Sequence, residues 1–271
     1  MAVLGVLGDI HGNREALLAA LAALEAKGAR RIVCVGDVVG YNADPDECVA
    51  LVRSRCALTI AGNHDLIGLG RLDFRRCSNK AEYSLRRTRR LLAPESRAWL
   101  ESLPARQGLE DGVVLVHGGV RDVQQYMVTA GIIRDNAALL REDFPGARLC
   151  FFGHSHEQKV YAVERDEVRE VPAHGVVQLD RSALSFVNPG SVDASRKRGR
   201  RLAECALFDS TRRTVEFLRV AYDCAATEAK AALFGYRISP LTERLYALRR
   251  RTASAARRIG ARLQRGADSG R

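Results

Sequence analysis

Five short motifs, each following an apolar run, hold five of the chain's six histidines. They read Gly-Asp-Ile-His-Gly-Asn at 8–13, Gly-Asp-Val-Val-Gly at 36–40, Gly-Asn-His-Asp at 62–65, Val-His-Gly-Gly at 116–119 and Gly-His-Ser-His at 153–156. Scattered histidines would not fall this way. A chain that repeatedly ends an apolar strand in a glycine turn bearing Asp, Asn or His is constrained to an α/β sheet. Ligands bind at the carboxyl ends of the strands in such sheets, so loops distant in sequence converge there. Glycine lets the backbone turn sharply at these points without a Cβ clash.

The elements between the motifs fit that plan. Residues 3–7, 31–35 and 57–61 read as strands. Asn13 is a good N-cap for a helix anchored by Leu17, Leu18, Leu21 and Leu24 and stopped at Gly28. A second helix is expected over 45–53, with Pro45 at its start. This alternation implies a parallel sheet with helices on its faces. Residues 79–104 read as helical, with Leu85, Leu91, Leu92, Trp99 and Leu100 as anchors. Strands at 113–116, 149–152, 159–163, 183–187, 204–208 and 214–220 then suggest a second, more antiparallel sheet. The expected organisation is an α/β core over 1–220 and a basic, mostly helical extension over 221–271.

That extension carries much of the chain's net charge of +11. Between 241 and 271, nine arginines stand against Glu243 and Asp268, a net +7. Leu241, Leu245, Leu248, Ala255 and Ile259 form a narrow apolar stripe, read as a helix packing on the core with a solvated basic face. The alternatives are a nucleic-acid or partner contact, or an anionic membrane surface. A second basic run, Arg196, Lys197, Arg198, Arg200 and Arg201, is either a solvated loop or a lip that draws phosphates inward. No apolar stretch approaches the ~18 residues of a membrane span. No N-terminal leader pattern is visible, and seven cysteines without a CxxC pair argue against disulfides and cysteine metal sites. The expected compartment is the cytoplasm. His174, outside every motif, reads as a surface-loop residue.

As chemistry, the motif residues form a mixed nitrogen and oxygen ligand set. Asp9 and His11 project from one turn. Asp37 is a carboxylate suited to bridging two cations, Asn63 offers a carbonyl oxygen, and His117, His154 and His156 offer imidazoles. Such a set suits two divalent ions, Mn²⁺ foremost, with Fe, Zn²⁺, Ni²⁺ or Mg²⁺ as alternatives, rather than Ca²⁺. Paired ions can activate a bridging water and clamp phosphate oxygens.

These five ordered motifs resemble those of the calcineurin-like metallophosphoesterase family over roughly residues 1–220. The resemblance implies a four-layer α/β/β/α sandwich with mixed sheets. It implies a first metal held by Asp9, His11, Asp37 and His156, and a second held by Asp37, Asn63, His117 and His154. His64 would face the phosphate and aid departure of the leaving oxygen after in-line attack by a metal-bridging hydroxide, with Asn63 also near substrate. Asp65 would orient its neighbours. The second motif runs into Tyr41-Asn42-Ala43, without the arginine that protein phosphatases and symmetrical diadenosine tetraphosphatases of the family carry there. With Asn188-Pro189-Gly190-Ser191, this places the chain nearer the small bacterial and archaeal phosphodiesterases. Many of those relatives continue as Gly-Tyr-Gly-Pro, so Asn42 and Ala43 predict a different pocket rim. The expected substrate is a small phosphorylated or nucleotide ester, most simply a diester. Alternatives are a phosphomonoesterase, a nucleotide or protein phosphatase, a nucleic-acid-processing enzyme, or a scaffold without turnover.

Overall fold

The computed structural model describes residues 3–193 and 201–249. The first part of the chain runs β1 (Val3–Leu7), α1 (Arg14–Ala26), β2 (Arg31–Cys34), α2 (Pro45–Arg55) and β3 (Leu58–Thr59). β1 pairs in parallel with β2, and β2 with β3. Asn13 caps α1 by accepting from the Ala16 amide at 3.1 Å, as its position before the leucine stripe predicts.

Three helices follow, α3 (Asn63–Leu69), α4 (Asn79–Leu91) and α5 (Pro94–Glu101). The single helix expected over 79–104 is therefore two. Pro94 has no amide hydrogen and its ring clashes with the preceding turn, so the chain breaks there and restarts with Pro94 in the first turn. Leu91, expected as an anchor, is 55% exposed beside this break, while Leu85 and Leu100 are fully buried.

The second part contains β4 (Arg106–Gly108), β5 (Val113–Val116), α6 (Ala130–Asp143), β6 (Leu149–Phe151), β7 (Gln158–Glu164), β8 (Glu167–Val171), β9 (Val176–Gln178) and β10 (Leu184–Pro189). β11 (Leu202–Asp209), β12 (Thr214–Ala221) and α7 (Cys224–Leu233) complete the named elements. Two six-stranded mixed sheets result, ordered β3-β2-β1-β11-β12-β9 and β4-β5-β6-β10-β7-β8. The second sheet is less antiparallel than its sequence suggested, because β5, β6 and β10 run parallel. The cause is α6, a helix the sequence pattern did not reveal. Thr129 caps it, Ile133, Ala137 and Leu140 face the sheet, and it supplies the crossover that parallel β5 and β6 require. β11 and β12, expected in the second sheet, instead extend the first, where β11 lies antiparallel to β1.

Alternation along the strands builds the layers. Leu4, Val6, Val33 and Val35 meet Val113, Leu115, Leu149 and Phe151 between the sheets. The opposite faces turn outward: Ile32 and Cys34 to α1 and α2, Cys150 and Phe152 to α6. Both faces of the central strands are buried, which is why they read as continuous apolar runs. The architecture is the four-layer α/β/β/α sandwich.

Beyond β12, α7 packs against α1, with Lys230 bridging Glu15 and Asp44. Residues 240–249 are also helical. Their apolar stripe does not pack on the core as expected: Leu241, Leu245 and Leu248 are 69%, 59% and 59% exposed. The inward contact is made instead by Tyr246, whose ring centroid lies 6.1 Å from that of Tyr83. Ala255 and Ile259 lie outside the described residues, as does the basic run 196–200. No described helix is long and apolar enough to cross a membrane.

Candidate metal centre

All five motifs and the 188–193 segment meet at the carboxyl ends of the parallel strands of both sheets. The first two loops are laced together by backbone: the Asp9 amide donates to Gly36 O (3.0 Å), those of Ile10 and His11 to Asp37 O (2.8 and 2.9 Å), and that of Gly12 to Val38 O (2.9 Å). The loops leave their strands so tightly that five candidate ligands adopt left-handed backbone, with φ of 52° at Asp9, 54° at His11, 57° at Asp37, 65° at His154 and 61° at His156. A non-glycine residue held there costs about 1–2 kcal/mol, and such strain concentrates at functional sites.

The side chains gather into three overlapping groups: Asp9, His11 and His156; His11, Asp37 and His64; Asp37, His117 and His154. All are buried. His156 Nε2 lies 3.2 Å from Asp9 Oδ1, and His11 Nε2 lies 3.0 Å from His156 Nε2. His117 Nε2 stands 3.3 Å from Asp37 Oδ2 and 3.0 Å from Asn63 Oδ1. Asp37 Oδ2 is also 3.8 Å from His11 Nε2, which puts Asp37 at the corner between the outer groups. Every metal-ligating residue expected from the sequence is thus in one place. His174 is exposed and belongs to none of the groups.

Several polar atoms here lack ordinary partners. Asp37 Oδ1 accepts from the His64 amide (2.7 Å), but Asp37 Oδ2 has no hydrogen-bond partner among the described residues, nor do His154 Nε2 and His156 Nδ1. Buried polar atoms are seldom left so. Imidazole nitrogens and carboxylate oxygens that converge this closely fit divalent cations, with Asp37 able to serve both outer groups. Burial with only partial charge compensation separates the proton affinities. Burial pushes His154 down to about 4, aided by nearby His117. Burial opposes charge on His117 as well, but the Asp37 carboxylate outweighs it and raises that histidine to about 9. Asp9, against the same burial, is held at about 2 by His156 and His117.

His64 borders the groups without joining the outer two. Its ring centroid is 4.5 Å from that of His11 and 5.0 Å from that of Tyr41. Asp65 is turned away from chemistry. Its Oδ2 accepts from the Asp37 and Gly62 amides, each at 2.9 Å, and its Oδ1 from the Val39 amide at 3.1 Å. It fixes the loop that carries Asp37, and both of its oxygens are engaged by backbone in doing so.

Sequence reasoning singled out Asn188–Ser191 as a family segment and Asn13 as a helix cap, but not as outer supports of the site. Asn188 Nδ2 donates to Gly153 O and Ser155 Oγ, both at 2.9 Å, and so fixes the turn carrying His154 and His156. Ser191 Oγ donates to Asp9 O (2.9 Å), and Asn13 Nδ2 to Asp193 Oδ1 (2.9 Å). The available signal was a polar Asn ending an apolar strand just before Pro189-Gly190. Tyr126, its ring centroid 4.1 Å from that of His154, has no sequence signal at all.

A family model described as the calcineurin-like phosphoesterase superfamily domain matches residues 2–213. An uncharacterised protein of Methanocaldococcus jannaschii is 30% identical over 226 residues, covering 82% of this chain and 88% of that one. A metallophosphoesterase of Sphaerobacter thermophilus has a similar structure, with a TM-score of 0.72, 29% identity, and 91% and 98% of the two chains covered. A hypothetical protein of Pyrococcus horikoshii shares the fold at a TM-score of 0.68 and 19% identity, with the same coverage.

Proposed function

The chain belongs to the calcineurin-like phosphoesterase superfamily, and on that premise we propose that it is a metal-dependent phosphodiesterase with two cations held around Asp37. The carrying observation is the pair of buried ligand groups, Asp9–His11–His156 and Asp37–His117–His154, with Asp37 Oδ2 and His154 Nε2 lacking hydrogen-bond partners among the described residues. Asn63 completes the second group. Mn²⁺ is the ion we expect, for its tolerance of mixed imidazole and carboxylate ligands.

Bound there, two divalent cations would supply Lewis acidity at the phosphoryl oxygens and a water of lowered pKa. The chain's own residues do the rest. His64, held by its amide to Asp37 Oδ1, is placed to give a proton to the departing oxygen or to offset its charge. Asp65 keeps Asp37 in register through three amides. A diester is the ester we expect, because the second motif runs into Tyr41-Asn42-Ala43 without the arginine that the family's protein phosphatases carry there.

The test is Mn²⁺-dependent hydrolysis of bis(4-nitrophenyl) phosphate. Asp37→Asn, close in shape, and His154→Ala should each lower kcat at least a hundredfold while circular dichroism stays native. Full activity in either variant refutes the assignment. Crystals soaked in manganese should show paired anomalous peaks beside Asp37.

A further inference from the structure

A cavity of about 520 Å³ opens beside the candidate metal centre. Tyr41 joins the two: it lines the cavity, and its ring centroid is 4.9 Å from that of His11 and 5.0 Å from that of His64. Lys80, Arg201, Arg237, Glu228 and Tyr236 contribute further walls. Three cations against one carboxylate leave the lining at net +2. Glu228 is shared, with Oε1 accepting from Arg201 Nη1 at 2.8 Å and Oε2 from Arg237 Nε at 2.9 Å, so a single carboxylate orients two guanidiniums. Lys80 pairs with no carboxylate among the described residues.

The cavity is tied to the first motif through Asn42, at the rim where the sequence departs from Gly-Tyr-Gly-Pro. Arg237 Nη2 donates to Asn42 Oδ1 (3.3 Å), and Asn42 Nδ2 donates to His11 O (3.1 Å). Arg237 follows α7, and Arg201 ends the basic run at 196–201. Residues beyond 220 therefore help build the space next to His64.

We propose that this cavity seats one arm of the diester substrate, and that this arm ends in a second phosphate group held by Lys80, Arg201 and Arg237. The inference rests on the phosphodiesterase reading above for the orientation of the arm. A surplus of two positive charges matches one phosphate monoester, and planar guanidiniums aligned by Glu228 suit its oxygens. Tyr41 and Tyr236 offer ring surface to whatever links the two phosphates.

Two measurements on the full chain test it. With Mn²⁺, a thymidine dinucleotide bearing a 5′-phosphate should show kcat/KM about tenfold above its unphosphorylated counterpart, mainly through KM. The ratio should fall to within about twofold in Lys80→Ala/Arg237→Ala and persist in Lys80→Arg/Arg237→Lys. An abasic 5′ residue separates the sources of the phosphate: an undiminished ratio assigns the seat to phosphorylated arms in general, a diminished one to nucleotides. Equal rates for the two dinucleotides in the wild type, or a ratio unchanged in the alanine variant, overturn the proposal. Independently of turnover, inorganic pyrophosphate should bind the EDTA-treated protein in calorimetry, and the alanine variant should lose that binding. If no diester is hydrolysed yet this loss is seen, the phosphodiesterase reading falls and the anion seat stands. If pyrophosphate binds both proteins alike, the seat falls.

Discussion

His154 and His117 sit in one group and are pushed in opposite directions, to about 4 and about 9. In metal-free protein this sets the pH dependence of stability. Between pH 4 and the usual 6.5, the unfolded chain takes up a proton at His154 that the folded chain refuses, so stability falls as pH drops through that window. His11, lowered by burial and by His64, adds to the same limb. Asp65, raised to about 7 by burial and by Asp37, opposes it, leaving two groups against one. Between 6.5 and 9 the folded chain keeps the His117 proton that the unfolded chain releases, so stability falls as pH rises. The Tm of EDTA-treated protein should peak near pH 6.5. With Mn²⁺ the alkaline decline should vanish, because a cation takes the place of that proton. A metal-free Tm that climbs steadily to pH 9 would contradict the ordering of these histidines. At this scale the sequence was informative about identity: all seven ligand candidates converge. It read Asp65 as an orienting residue but could not name its partners, nor those of Asn188 and Ser191, because these bonds depend on loops that only the tertiary fold brings together.

The motif turns work because glycine leaves room for a neighbouring loop. Gly62 shows this most sharply. Its own backbone is ordinary, φ −92° and ψ 175°, so alanine is conformationally acceptable there. A Cβ would nevertheless fall well inside contact distance of Asp37 Oδ1 and the Asp37 amide. Gly62→Ala should therefore displace the shared carboxylate and lower kcat at least tenfold, with a loss of about 1–3 kcal/mol in denaturant unfolding, as for other overpacked sites. Unchanged activity and stability would mean that the two loops are not pressed together. Elements whose signals are local are legible in the sequence alone: Asn13 capping α1, Pro45 opening α2, the apolar runs of the central strands. Pro94 is equally visible, but the leucines on either side of it suggest one continuous helix. α6 was missed because its anchors are few and the surrounding strands dominate the pattern. The leucine stripe at 241–248 misled for a different reason: spacing shows that a helix has an apolar face, not that the core has a place for it.

The two halves of the molecule contribute different ligands. Asp9, His11, Asp37 and Asn63 come from loops of the first sheet, His117, His154 and His156 from loops of the second. Periodicity could not show how the first sheet is completed, since β1 pairs with β11 across some 200 residues of chain, yet the motifs themselves required the edges of the two sheets to coincide. A cation bound between them is then a cross-link available only to the folded state. Ligand that binds the native state alone adds stability as RT ln(1 + [L]/Kd), about 2.7 kcal/mol at a hundredfold excess over Kd. For a chain of 271 residues this corresponds to a Tm rise of roughly 5 °C. The rise should continue with the logarithm of Mn²⁺ concentration and shrink by at least half in Asp37→Asn, which weakens both outer groups at once. Calorimetric scans across a manganese titration would measure it. A Tm indifferent to manganese in the wild type would mean that the sheets are held in register without a metal, and that the convergence around Asp37 does not serve to bind one.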